Sequence, residues 1–167
     1  KKIGVLGAGL MGAGIATVSV QAGLDIVLID RDQAAADKGK GHIADELGKL
    51  VKRKRLDQAK ADAMLAKVTA TPDFGALKDC DIVIEAVFEN RDVKADATKK
   101  AEAALPKTAV FASNTSTLPI TGLAEAFDLD APPQRIEVYD NSHIQGTNAV
   151  GGMIVAGAEG FLKSQYR

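Results

Sequence analysis

Short apolar runs alternate with glycine-punctuated helical stretches along most of the chain. Lys2-Ile3-Gly4-Val5-Leu6 is followed at once by glycines, and Ile26-Val27-Leu28-Ile29 is apolar throughout. Runs without polar alternation suit strands covered on both faces, as in parallel sheets. Between them Met11, Ile15, Val18 and Ala22 recur at helical spacing, which predicts a helix over Leu10 to Ala22 presenting that face, with Gly23 as its stop.

From Arg31 to about Val68 the pattern turns helical and rich in Ala, Lys, Asp and Glu. Ile43, Leu47, Leu50 and Val51 mark one face and Ala61, Leu65 and Val68 another, with Asp57 placed to cap the second helix. This reads as a helical hairpin, followed by a weak strand near Val68 to Thr71. Asp81 to Val87 is the next strand, Asn90 to Leu105 a helix closed by Pro106, and Ala109 to Ala112 a further strand. Strand, helix, strand in this order implies a parallel, doubly wound α/β sheet. Pro119 to Phe127 suits one more short helix. After Asp130-Ala131-Pro132-Pro133 the rhythm changes. Arg135 to Tyr139 alternates, Gly146 and Gly151-Gly152 flank turns, Met153-Ile154-Val155 is strand-like, and Gly157 to Gly160 suits a hairpin loop, together a β-meander.

With 167 residues, 46% of them hydrophobic and 26% charged, the chain suits one globular domain and excludes wholesale disorder. A net charge of -1 argues against gripping nucleic acid or an anionic membrane. No apolar run approaches the roughly 18 residues of a membrane span, and no signal-peptide pattern opens the chain. The one cysteine, Cys80, excludes an internal disulfide and suits a reducing cytoplasm, where we expect the protein to be.

The candidate chemistry starts at Gly7-Ala8-Gly9-Leu10-Met11-Gly12, a G-x-G-x-x-G pattern directly after a strand and opening a helix. The first glycine permits the tight turn, the second lets a pyrophosphate approach the backbone, and the third lets helix and strand come close. The helix N-terminus supplies free N–H groups and positive dipole. Asp30 ends the second strand, where a carboxylate can bond ribose hydroxyls. These residues predict a dinucleotide site. Asp30 favours NAD by repelling a 2′-phosphate, while Arg31 beside it keeps NADP open.

Residues 1 to about 127 resemble the NAD-binding domain of the 3-hydroxyacyl-CoA dehydrogenases of fatty-acid β-oxidation. The resemblance rests on Ile3 to Gly12, on Val83-Ile84-Glu85-Ala86-Val87-Phe88-Glu89, and on Ser113-Asn114-Thr115-Ser116-Thr117-Leu118-Pro119-Ile120. It implies that Glu89 and Lys94 contact the nicotinamide side of the cofactor, Lys94 lying also near the acyl-CoA. Ser116 would touch substrate oxygen and nicotinamide, with Asn114 in the same pocket. From the residues alone, Glu89 and Lys94 also fit an ordinary ion pair at a helix start, and Ser116 fits a helix cap. Lys49, Lys52, Arg53, Lys54 and Arg55 form a basic cluster that is either a solvated helix end or, by the resemblance, a contact for the phosphates of a coenzyme A thioester.

The resemblance also implies a catalytic His about 20 residues beyond Ser116, acting as general base on the 3-hydroxyl. Gap-free counting places Glu137 there, and the family's helical substrate domain has no counterpart in the sequence. Instead, Ala131 to Asn148, with Asp140-Asn141-Ser142-His143-Ile144-Gln145-Gly146-Thr147-Asn148 at its centre, resembles the start of the ribonuclease-H-like nuclease domain of UvrC, and the similarity continues to Arg167. Asp140 corresponds to a first metal-binding carboxylate there, but a lone carboxylate holds no catalytic divalent ion. His143 reads as a turn residue, His42 as solvated and Cys80 as a small buried hydrophobe. No metal site is expected.

We therefore expect a chimera, engineered or recombined, joined within Gly122 to Leu129. Its fold would be a Rossmann-like doubly wound parallel sheet with an inserted helical hairpin after the second strand. The C-terminal antiparallel meander would extend that sheet, with Arg135 to Tyr139 as its sixth strand and Val150 to Ala156 returning beside it. The leading functional reading is an NAD-binding protein without hydride transfer or nuclease activity. A residual 3-hydroxyacyl-CoA dehydrogenase and a structural recombination product without ligand are the alternatives. An open final edge with Phe161 and Leu162 points to a homodimer.

Overall fold

The computed structural model describes residues 1–114, 135–144, 147–157, 160–161 and 164. The chain divides into two compact units, Lys1–Pro119 and Ile120–Arg167, where length alone suggested one domain. The expected helix at Pro119 to Phe127 and the seam at Gly122 to Leu129 lie outside the described residues.

In the first unit β1 (Lys2–Leu6), β2 (Asp25–Ile29), β3 (Val68–Thr71), β4 (Ile82–Glu85) and β5 (Val110–Ser113) form one parallel sheet of order β3-β2-β1-β4-β5. Its inner strands are apolar on both sides because both sides are covered. Val5, Ile26 and Leu28 join one core cluster with α1 (Leu10–Gln21), α2 (Gln33–Lys52) and α3 (Gln58–Ala66). Leu6, Val27 and Ile29 alternate with them and join a second cluster with Leu77, Cys80, Val83 and the Ala97 and Ala101 face of α4 (Arg91–Ala104). The doubly wound sheet and the helical hairpin after the second strand are as the pattern predicts.

Local chemistry sets the element ends. Asp32 caps α2 by accepting from Ala35 N at 2.8 Å, and Asn90 caps α4 by accepting from Asp92 and Val93 N. Gly23, at φ +87, lets the chain leave α1. A 3₁₀ helix at Phe74–Asp79 has no counterpart in the expectations, although Asp73 announces it by accepting from Gly75 N.

One helical face differs from the reading. The buried side of α1 is Gly12, Ala13, Ala16, Thr17 and Val20, while Met11 and Val18 are exposed. Small residues let α1 lie close on the sheet. A hydrophobic stripe search follows the larger side chains and so selects the wrong face.

The second unit also differs. β6 (Arg135–Ile144), β7 (Thr147–Gly157) and β8 (Gly160–Phe161) form a separate three-stranded antiparallel sheet, instead of extending the five-stranded one. β6 pairs with β7 from Arg135↔Gly157 to Ile144↔Thr147, so Gly151-Gly152 lies inside a strand opposite Asn141 and Asp140.

The contact between α2 and the loop after β1 yields a paired prediction. A Cβ at Gly39 would meet Ala8 Cβ at 2.4 Å and Ala8 O at 2.7 Å, whereas one at Gly41, two residues on, meets nothing. Gly39→Ala should destabilise the fold by about 1–3 kcal/mol through overpacking. Gly41→Ala should stabilise it by up to about 1 kcal/mol through helix propensity. Urea melts of the two variants check both signs.

Candidate functional site

The carboxyl ends of the parallel strands bring the candidate residues into one row. Gly7 N donates to Ile29 O, Ala86 N to Leu6 O, and Asn114 N to Glu85 O, each at 2.8 Å, so the ladder runs one step past β1, β4 and β5. Between β1 and β4 the chain order reverses: β2 and β3 lie to one side, β4 and β5 to the other. In open α/β sheets, crevices for ligands form at such a switch point.

The glycines divide by what holds them. Gly7 has φ +90, and a Cβ there would stand 2.5 Å from Ala86 O; one at Gly12 would stand 1.7 Å from Gly7 O. Both are required by the turn and by the approach of α1 to β1. Gly9 is different. Its φ is -67, any residue's conformation, and a Cβ would meet nothing within 4 Å. The protein's own contacts do not call for glycine at 9, whereas a pyrophosphate seated on the α1 N-terminus does. Leu10 and Met11 follow it, exposed at 89% and 59%, so the rim of the crevice is open.

Asp30 anchors this loop. Its Oδ2 accepts from Ala8 N and its Oδ1 from Arg31 N, both at 2.7 Å. Each oxygen keeps a lone pair for a ribose hydroxyl. The Arg31 guanidinium turns to Asp32 at 3.3 Å, both side chains exposed. The backbone N–H of Ala35, and then Arg31, hold the Asp32 carboxyl below its usual range.

Beyond the switch point is a buried charge cluster. Glu85 and Lys94 are both fully buried. Lys94 Nζ lies 2.8 and 3.0 Å from the two Glu85 oxygens, 3.2 Å from Glu89 Oε2 and 3.4 Å from Val87 O. Val87 N donates to Glu85 Oε1 at 2.7 Å and Ser113 Oγ to Glu85 Oε2 at 2.6 Å. An ammonium has three donors, and here all are engaged within the protein, so Lys94 acts on its surroundings by holding Glu89 and the loop after β4. Glu89 is partly exposed beside it, and Asn114 is exposed at the end of β5. In the sequence Glu85 carries no signal of its own beyond the stretch Val83 to Glu89. Its spacing to Lys94, nine residues from strand to helix, has no periodic signature.

Residues 2–136 match the family described as 3-hydroxyacyl-CoA dehydrogenase, NAD binding domain. The chain belongs to this family. Residues 124–167 match a second family, the UvrC RNAse H endonuclease domain, so the chain is a chimera of the two. A Deinococcus radiodurans protein named "Probable 3-hydroxybutyryl-CoA dehydrogenase" is 43% identical over 125 residues, 75% of this chain and 45% of that protein. UvrABC system protein C of Ruegeria pomeroyi is 84% identical over 55 residues, 33% of this chain and 9% of that protein. The crystal structure of (S)-3-hydroxybutyryl-CoA dehydrogenase from Ralstonia eutropha superposes with a TM-score of 0.71 at 38% identity, over 75% of this chain and 44% of that one. The chain thus spans less than half the length of the dehydrogenase relatives it matches. NAD is the cofactor of the 3-hydroxyacyl-CoA dehydrogenase domain, and the vacant backbone at Gly9 fits it.

The remaining candidates take simpler places. Lys52 and Arg53 close α2, Lys54 makes the turn at φ 55, and Lys49 pairs with Glu46. Of the cluster, Lys54 and Arg55 line a groove together with Val51, Leu56, Asp57, Gln58 and Lys60. His42 is exposed on α2. Cys80 is buried, and burial pushes its thiol up, as befits an inert hydrophobe. Ser116 lies outside the described residues. Among the described residues no cluster could hold a metal, and no helix is long and apolar enough to cross a membrane.

The buried pair gives a stability prediction. Glu85→Gln leaves the buried Lys94 ammonium with only the partly exposed Glu89 as counter-charge and should cost about 3 kcal/mol, whereas Glu85→Gln with Lys94→Met removes the buried charges and should recover most of that loss. Chemical denaturation of the two variants decides it; equal losses would mean that the pair is not desolvated as described.

Proposed function

We propose that this chain binds NAD in the crevice between β1 and β4 and does not complete hydride transfer. Gly7, Gly9, Leu10, Met11 and Gly12 would receive the pyrophosphate and Asp30 the adenosine ribose. Glu89, Asn114 and Ser116 would form the nicotinamide side; Lys94, expected from the sequence to touch the cofactor, is instead buried with its donors spent on Glu85, Glu89 and Val87 O, and would hold Glu89 from behind. The observation that carries the reading is Gly9, a glycine that neither conformation nor internal contact requires, at the N-terminus of α1. When bound, NAD supplies hydride-acceptor chemistry. The chain's own part is to hold and orient it.

Proton removal from a 3-hydroxyl needs a general base, which typically supplies about 10²–10⁴-fold. The dehydrogenase match ends at residue 136, and the next residue, at the position expected for the base, is Glu137, in β6 opposite Val155. The two histidines, His42 and His143, fall elsewhere in the sequence. A carboxylate is a weaker base than an imidazole near neutral pH. The basic groove at the α2–α3 turn supports a weak contact with a coenzyme A thioester through its phosphates.

Two outcomes follow. Calorimetry should show NAD preferred over NADP by about tenfold or more, roughly 1.4 kcal/mol, and binding abolished in Gly9→Val. Equal affinity for the two cofactors would make Arg31 the reader, and unchanged affinity in Gly9→Val would refute the site. With acetoacetyl-CoA and a high protein concentration, NADH absorbance should stay constant. Steady oxidation that disappears in Ser116→Ala would instead make the chain a dehydrogenase.

A further inference from the structure

We propose that Glu85 is the positioning residue for the nicotinamide half of the site, holding the loop Ala86–Asn90 in the one conformation that the cofactor needs. The inference rests on the NAD reading and goes beyond it, because Glu85 itself faces no ligand. It ends β4 at the switch point and is fully buried. Its two carboxylate oxygens gather three segments: Val87 N of the loop, Lys94 Nζ of α4 and Ser113 Oγ of β5. Its carbonyl takes Asn114 N, so the exit of β5 is held from the same residue.

The loop so fixed forms one side of the crevice. Ala86 O is the atom that a side chain at Gly7 would strike, at 2.5 Å, so the loop after β4 presses on the glycine turn. The other side is held independently, by Asp30 through Ala8 N. Each half of the crevice therefore has its own carboxylate tie. Stability alone is a poor reason for the Glu85 arrangement, since apolar residues of similar volume hold a core as well as a buried ion pair does. A network with every group satisfied, spanning a strand, a loop and a helix, instead selects one loop conformation.

Ligand truncation separates the halves. ADP-ribose contains everything in NAD except nicotinamide, so it should sense Asp30 and the glycine loop but not Glu85. If releasing the loop leaves it competent in about one-tenth of molecules, the apparent affinity for NAD falls about tenfold. In Glu85→Gln the ratio of the NAD to the ADP-ribose dissociation constant, measured by calorimetry, should rise by about that factor, with ADP-ribose affinity little changed. Ser113→Ala keeps the Glu85–Lys94 pair and should raise the ratio by a smaller factor, about threefold; it decides the matter if Glu85→Gln fails to fold. A ratio that stays constant in the folded variants, whether both affinities fall together or neither does, overturns the proposal. A wild-type chain that binds neither ligand overturns the NAD reading on which it rests.

Discussion

The passage from β1 into α1 is the constraint from which the rest of the first unit follows. Gly12 sits so near Gly7 that a side chain at 12 would overlap the Gly7 carbonyl, and Gly7 in turn admits nothing between itself and Ala86. These approaches seat α1 against the sheet through Ala13, Ala16 and Val20 and bring the loops after β1 and β4 together. They also aim the first N–H groups of α1 at the carboxyl edge, where positive dipole and unpaired donors await an anion. Steric closeness, more than any one hydrogen bond, makes the crevice.

Two carboxylates then divide the task of shaping it. Asp30 is partly exposed and binds backbone N–H groups while keeping acceptor capacity outward. Glu85 is fully enclosed and turns all its capacity inward, onto Lys94, Val87 and Ser113. The same side-chain chemistry thus serves recognition at one strand end and positioning at another, according to burial alone.

Much of this architecture was legible. Unbroken apolar runs such as Ile26 to Ile29 mean burial on two faces, and the spacing of Gly7 and Gly12 marks the tight passage from β1 into α1. What was not legible has definite causes. The buried face of α1 consists of Gly12, Ala13, Ala16 and Thr17, which carry little hydrophobic signal, so Met11 and Val18 drew attention to the wrong side. The Glu85–Lys94 pair depends on a strand end and a helix meeting, which no periodicity encodes. The strands of the second unit form a sheet of order β6-β7-β8.

The central claim is that the dehydrogenase-derived unit is a working NAD site. Its most direct test is a crystal structure of the chain grown with saturating NAD. The account predicts the pyrophosphate against the N–H groups after Gly9, the adenosine ribose on Asp30 and the nicotinamide beside Glu89 and Asn114. Cofactor density elsewhere on the chain, or an empty crevice at saturation, would contradict it.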